Sequence, residues 1–346
     1  MIELLIINNV PSFYKINLYN ELSKKINIHV VFLARTNQVV NSSQFRNEIN
    51  FSFEIISDIQ IEKRNKILSL IKVFALSRKL KFKKIIFGGY DNLETFFLPF
   101  FQPKQKNCLQ FESSIFESKT VGIIAWIKRL VLNRYTIALP AGDNQSELLK
   151  ELKFSGVLIK TYGVGIFNRF NFDKIEKSKR IEDLKYLYVG RLINKKNLFL
   201  LVSTFNENKK PLEIVGSGYL LNELKSIANS NIVFTEFVDN NHINKYYLGN
   251  DIFILPSKAE PWGLVIEEAI YYHLPVIISN VVGCQAEMVV KPNSGVIFNP
   301  NSKESLINAM SCVESNFDKL RSNCINFDFK IRDEMQITAY LKVSRL

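Results

Sequence analysis

Residues Asp251 to Gly283 read DIFILPSKAEPWGLVIEEAIYYHLPVIISNVVG, and their pattern points to the fold class. DIFIL is an apolar run of strand length, and PSKAE is a polar loop opened by Pro256. Trp262-Gly263 then starts a helical pattern that must stop before Pro275, where a second apolar run begins. Strand, loop, helix and strand in that order make a βαβ unit, which builds a parallel sheet covered by helices. Polar ligands of such sheets bind where a strand hands over to its helix. Gly263 has no Cβ and permits close backbone approach. The first amides of the helix, at the Gly263-Leu264 turn, together with its dipole favour a phosphate or a sugar hydroxyl.

The same alternation extends in both directions. Short apolar runs occur at Leu4 to Ile7, Ile28 to Leu33, Lys84 to Phe87, Tyr135 to Leu139 and Val157 to Ile159. A second series runs through Tyr186 to Val189, Leu212 to Val215, Asn231 to Phe234, Asp251 to Leu255, Pro275 to Ile278 and Val296 to Phe298. Two Rossmann-like sheets are therefore expected, which suits a chain of 346 residues. Gly163 to Arg180, with the charged stretch DKIEKSKRIED, interrupts the apolar periodicity and marks the join. The expected organisation is an N-terminal domain over 1–165, a C-terminal domain over 166–325, and a final helix over 326–346 that packs back toward the N-terminal domain.

Composition narrows the class. With 47% hydrophobic and 23% charged residues and a mean hydropathy near zero, a disordered chain is excluded. Four scattered cysteines, none in a C-x-x-C pair, fit a reducing cytosolic setting better than a disulfide framework. The apolar stretch Thr120 to Leu132 is interrupted by Lys128 and Arg129 and falls short of the roughly 20 residues that a membrane helix needs. MIELLIINN has Glu3 where a signal peptide carries positive charge, and reads as a first buried strand. Charge is uneven: residues 1–170 hold 24 Lys and Arg against 13 Asp and Glu, whereas the remainder is nearly balanced. Lys63 to Lys84 carries nine basic residues and no acid, interleaved with Ile67, Leu68, Leu70, Ile71 and Phe74. That pattern predicts a basic amphipathic helix for an anionic membrane surface or another polyanion.

Several residues carry chemistry. Glu260 lies in the loop and Glu268 in the helix eight positions later, a spacing that can put one carboxylate at each end of a bound nucleotide sugar. Each can accept from a pair of hydroxyls. The neighbouring Glu267 is expected to be a solvated helix carboxylate. Upstream, YLYVGRLINKKN places Arg191 and Lys196 just beyond a strand, where a guanidinium fork and an ammonium can hold a diphosphate. LEIVGSG supplies a further strand with Gly216 and Gly218 at its turn. There is no Asp-x-Asp, and His29, His242 and His273 form no ligand cluster in the sequence, so no metal is expected.

GRLINKKN, the IVGSG turn, VFTEFVDNNHINKYYLGNDIFILPS from Val233 and EPWGLVIEE from Glu260 occur in an order and spacing that resemble glycosyltransferase family 4. The resemblance is strong from Tyr186 to Pro300. It implies the GT-B fold, an α/β architecture of two facing Rossmann-like domains with an interdomain cleft. It also implies retaining, metal-independent transfer of a hexosyl group from a UDP- or GDP-sugar, without a further cofactor. Arg191 and Lys196 then look like the diphosphate pair and Glu260 like the donor-sugar carboxylate, beside the Gly263 and Leu264 amides. Glu268 looks like the ribose contact, with the backbone at Val238 along the base. The expected acceptor is a glycan or a lipid-linked glycan of bacterial surface polysaccharide or glycolipid synthesis, met by a cytoplasmic enzyme peripheral to the inner face of the cell membrane.

The N-terminal half departs from that pattern. NNVPSFYKINLYNEL has Pro11 and no glycine where many relatives have a glycine-rich loop. His29 reads as part of a strand, and Glu112 in FESS is the candidate polar group on the acceptor side. The alternatives within enzymes are a nucleotide-sugar epimerase and a glycosyl phosphate synthase. A nucleic-acid-binding protein is the alternative outside them, although no nucleic-acid signature accompanies the basic cluster and no nucleic-acid partner is expected.

Overall fold

The computed structural model describes residues 1–35, 48–170 and 184–346. The stretch DKIEKSKRIED lies outside them. The described residues divide into two compact units, Met1–Phe167 with Lys330–Leu346, and Asn168–Phe329.

Unit 1 is built on a parallel sheet of β1 (Ile2–Asn8), β2 (Ile28–Phe32), β3 (Ser52–Ile55), β4 (Phe82–Phe87), β5 (Asn107–Phe111), β6 (Ile137–Pro140) and β7 (Val157–Leu158) in the order β3-β2-β1-β4-β5-β6-β7. Helices α1 (Phe13–Ser23), α2 (Lys66–Lys79), α3 (Leu93–Phe101), α4 (Gly122–Leu132) and α5 (Asp143–Glu151) connect the strands. LLIIN in β1 is buried along its length, as a central parallel strand must be. Successive side chains serve opposite faces. Leu5 and Ile7 join Val73, Leu98, Ala125 and Leu148 in one core, whereas Leu4 and Ile6 join Ile16, Tyr19, Ile337 and Tyr340 in the other. Ile337 and Tyr340 come from the last helix of the chain, Phe329–Arg345, so the C-terminal residues complete the second core of unit 1.

Two strands of this sheet carry no clear apolar signal. β5, NCLQF, buries Asn107 and Gln110, and the Asn107 amide donates to the carbonyls of Pro99 and Arg134 at 2.9 Å each. β3, SFEI, is an edge strand with exposed and half-buried positions in alternation. His29 lies in β2, where its Nδ1 is 2.8 Å from the Ser52 hydroxyl and burial lowers its pKa.

The basic stretch is not one helix. Asn65 caps α2 by accepting from the Leu68 amide at 3.0 Å, and the helix ends at Lys79. Lys83 and Lys84 belong to β4, because KKIIF continues as a parallel strand beside β1. Arg64 turns inward to a buried pair with Glu94, Nε to Oε1 at 3.1 Å and Nη2 to Oε2 at 2.8 Å.

Unit 2 repeats the scheme with β8 (Tyr186–Val189), β9 (Leu212–Val215), β10 (Ile232–Thr235), β11 (Ile252–Leu255), β12 (Val276–Ser279) and β13 (Gly295–Phe298) in the order β10-β9-β8-β11-β12-β13, every pairing parallel. Its helices are α6 (Leu198–Asn208), α7 (Leu221–Ile227), α8 (Asn244–Gly249), α9 (Leu264–Tyr271), α10 (Lys303–Ser315) and α11 (Phe317–Ile325), and the final helix of the chain, Phe329–Arg345, is α12. The chain runs from β8 outward to β9 and β10, then crosses to β11 on the other side of β8. Loops leaving β8 and β11 therefore diverge and open a crevice, the place where such sheets bind ligands. Unit 1 has the equivalent switch between β1 and β4.

Candidate functional site

The crevice of unit 2 is built by two loops. The first leaves β8 through Gly190 and Arg191 and closes in a helical turn over Asn194–Lys196. Gly216 packs against it so closely that a Cβ there would lie 2.0 Å from the Gly190 carbonyl oxygen. The second loop is PSKAE after β11. The Lys258 amide donates to the Lys195 carbonyl at 2.8 Å and fastens the two loops together. Glu260 is held by a parallel bridge to Val282 and by the Gly283 amide, which donates to its carbonyl at 2.9 Å.

This framework brings opposite charges into contact. Lys196 Nζ pairs with Glu260 Oε2, and both side chains are largely withdrawn from solvent. Gly263 caps α9 in the left-handed region at φ 101°, which explains the residue type. A Cβ at Gly263 would stand 3.4 Å from Glu260 Cγ, so that carboxylate lies at the start of the helix. Arg191 is exposed, and its carbonyl accepts from the Tyr188 hydroxyl at 3.0 Å. Burial raises the Tyr188 pKa far above the usual phenol value; Glu260 adds to the rise and Arg191 opposes it, so both groups lie within electrostatic reach of one hydroxyl. The result is a crevice with two cations, one carboxylate and the Gly263-Leu264 helix start.

Glu268 lies about one helical turn beyond Leu264. It is buried, and the Tyr247 hydroxyl donates to its Oε2 at 2.7 Å. Burial pushes its carboxyl up to about 7; repulsion from Glu267 acts in the same direction and the Tyr247 bond opposes. Glu267 corrects the sequence expectation: it is fully buried, and Trp262 Nε1 donates to its Oε1. An indole N–H inside the core needs an acceptor, and the carboxylate five residues later supplies it. Val238 lies half-buried in the loop after β10, at the edge of the sheet. The Lys196 to Glu260 pairing, Tyr247 and the Trp262 to Glu267 bond escaped sequence reading, since nothing in their spacing along the chain announces them.

Glu112 belongs to unit 1, directly after β5. It pairs with Lys15 of α1, which is only 3% exposed, and the Gln110 amide donates to the same Oε1 at 2.6 Å. Burial lowers the Lys15 pKa and Glu112 opposes the fall. The pair lines a polar cavity of about 280 Å³ with Asn8, Asn9, Ser12 and Tyr14. Residues from the ends of β1, β4 and β5 reach this cavity, so it occupies the switch point of the unit 1 sheet. Among the described residues, no group of three or more His, Cys, Asp or Glu is placed to hold a metal ion.

Residues 170–330 match the family glycosyl transferases group 1. The group 1 segment thus coincides with nearly all of unit 2, including both loops of the crevice. The described residues form two parallel-sheet Rossmann-like domains, the domain type of the GT-B fold. The chain is similar to the lipopolysaccharide outer core galactosyltransferase WaaB in its apo form, with a TM-score of 0.69 at 13% identity over 98% of this chain and 99% of that one. It is likewise similar to HepE of Anabaena in complex with UDP-glucose, with a TM-score of 0.70 at 13% identity over 99% of this chain and 100% of that one. By sequence, the chain is 25% identical over 193 residues to an uncharacterized 41.2 kDa protein in the cps region of Klebsiella pneumoniae. That match covers 51% of this chain and 53% of the relative. It is 30% identical over 117 residues to the putative teichuronic acid biosynthesis glycosyltransferase TuaC of Bacillus subtilis, covering 31% of this chain and 29% of TuaC. The chain therefore spans about half the length of the Klebsiella relative and less than a third of TuaC.

Within the group 1 segment, the raised Glu268 carboxyl has a consequence for binding. An ionised carboxylate accepts from hydroxyls, whereas the protonated form gives up much of that capacity. For any ligand whose hydroxyls Glu268 accepts from, affinity should weaken as pH falls through about 7, and Glu268→Gln should flatten this dependence in a calorimetric titration against pH. The same shift has the opposite sign for stability. The folded state holds the proton more tightly than the unfolded chain, so stability falls as pH rises from the ordinary carboxylate range toward 7.

Proposed function

We propose that this protein is a retaining, metal-independent glycosyltransferase of the family 4 type, which moves a hexosyl group from a UDP- or GDP-sugar to a glycan or lipid-linked acceptor in bacterial surface polysaccharide or glycolipid synthesis. The observation that carries the reading is the convergence of Arg191, Lys196 and Glu260 with the Gly263-Leu264 helix start at the switch point of unit 2. Two cations and free helix-start amides suit the charge that develops on a departing nucleoside diphosphate. Lys196 and Glu260 pair with and neutralise each other. With donor bound, Lys196 and Arg191 would hold the diphosphate and Glu260 would accept from sugar hydroxyls. Glu268 would take the ribose hydroxyls, and the backbone at Val238 would follow the base.

The group 1 match and the UDP-glucose bound to the similar HepE structure support a nucleotide-sugar donor. The cps-region relative and TuaC support surface polysaccharide synthesis. On the acceptor side, the cavity of Lys15 and Glu112 offers a donor and an acceptor to a sugar hydroxyl. The setting that follows is the cytoplasmic face of the cell membrane.

A panel of UDP- and GDP-sugars tests the reading by thermal shift and by release of nucleoside diphosphate, with and without acceptor glycans. A matching donor at 100 times its dissociation constant should add about 2.7 kcal/mol of stability, and transfer should persist in EDTA. Release of free nucleoside diphosphate and epimerised sugar without an acceptor would instead indicate an epimerase. Loss of transfer in EDTA that manganese or magnesium restores would overturn metal independence.

A further inference from the structure

An apolar stripe at i, i+3, i+4 and i+7 spacing on a helix ordinarily faces the core. On α4 the stripe Ile123, Trp126, Ile127 and Leu130 faces outward, with Ile123 74% and Trp126 58% exposed, while Ala125, Val131 and Leu132 face the sheet. Two neighbours extend it. α2 exposes Ile67, Leu68 and Ile71, and α3 exposes Phe97, Phe100 and Phe101.

The three helices lie over the same core of unit 1. Phe74 of α2 and Phe101 of α3 stack edge to face with ring centres 5.5 Å apart, and Arg134, just beyond α4, places its guanidinium 5.5 Å from the Phe100 ring. An apolar face shared by three helices exceeds the scattered exposure of an ordinary monomer surface and marks an interaction site. Its charges indicate the partner. α2 and α4 contain no Asp or Glu, and Glu94 of α3 is buried against Arg64. Lys66 and Lys72 are exposed beside the α2 apolar residues. Apolar side chains interleaved with uncompensated cations fit the headgroup region of an anionic bilayer. A second copy of the same face would instead oppose like charges.

We infer that α2, α3 and α4 form a membrane-docking face that inserts Ile123, Trp126 and Ile127 into an anionic lipid surface. It supplies a location for the membrane partner of the proposed function, and lipid binding is measured without any nucleotide sugar. Loss of donor binding would overturn the transferase reading and leave this one standing.

The experiment is sedimentation with vesicles of phosphatidylglycerol and phosphatidylcholine, and with phosphatidylcholine alone, while Trp126 emission is followed. The wild-type chain should bind the anionic vesicles, shift its emission to shorter wavelength and release at high salt. Ile123→Ser/Trp126→Ser/Ile127→Ser should bind at least tenfold more weakly, with circular dichroism unchanged because the three side chains are exposed. Lys66→Gln/Lys72→Gln should also bind more weakly, whereas Lys83→Gln/Lys84→Gln on β4 should match the wild type. Trp126→Phe should keep the binding and lose the emission shift. Equal binding of the triple variant and the wild type, binding without a Trp126 shift, or self-association through this face without vesicle affinity would each overturn the inference.

Discussion

Lys196→Ala and Arg191→Ala should each lower turnover about a hundredfold or more, the usual cost of removing a donor aimed at developing charge. Lys196 lies in the crevice, and its contact with Glu260 shows that its ammonium reaches the start of α9. Its removal also strands the Glu260 carboxylate, so Lys196→Ala/Glu260→Gln is the control that separates lost diphosphate contact from an unpaired charge. Steady-state kinetics with the matched donor should show the loss mainly in kcat. Glu260→Ala should impair transfer more than nucleoside diphosphate binding, and Glu268→Ala should do the reverse. Turnover near that of the wild type in both cation variants would remove the diphosphate assignment.

Glu94→Ala should destabilise the chain by about 3–5 kcal/mol, the cost of leaving one partner of a buried ion pair alone. Both side chains of the Arg64 and Glu94 pair are withdrawn from water, and Arg64 Nη2 also donates to Asn92 Oδ1 at 3.0 Å. Glu94→Gln, which keeps an acceptor, should lose less. Equilibrium urea unfolding followed by circular dichroism measures the difference, and a midpoint unchanged in Glu94→Ala would show that the pair contributes nothing. Glu267→Ala belongs to the same class, since it leaves the Trp262 N–H without its acceptor, at about 1–3 kcal/mol.

The architecture is legible in the amino-acid order. Apolar runs such as LLII and IFIL, of strand length and bounded by turn residues, read as strands buried on both faces, and the helical patterns between them imply parallel βαβ connections. The amino-acid order also placed the candidate site residues on the loops after β8 and β11 and at Gly263, because local sequence sets the strand ends. β3 and β5 were hidden because edge exposure and buried amides break the apolar pattern.

The surroundings of Arg64, Lys196, Glu260 and Glu267 emerge only from the fold. Composition made Lys63 to Lys84 one basic surface, yet the chain turns at Leu80 into β4 and draws Arg64 inward to Glu94. Helix position alone left Glu267 solvated, whereas packing buries it beneath Trp262. Sixty-four residues separate Lys196 from Glu260, and only the β8 and β11 adjacency makes them partners. The physical reason is range: backbone preference and hydrophobic period act over a few residues, whereas the environment of a charge depends on which distant groups the fold places within a few ångströms of it.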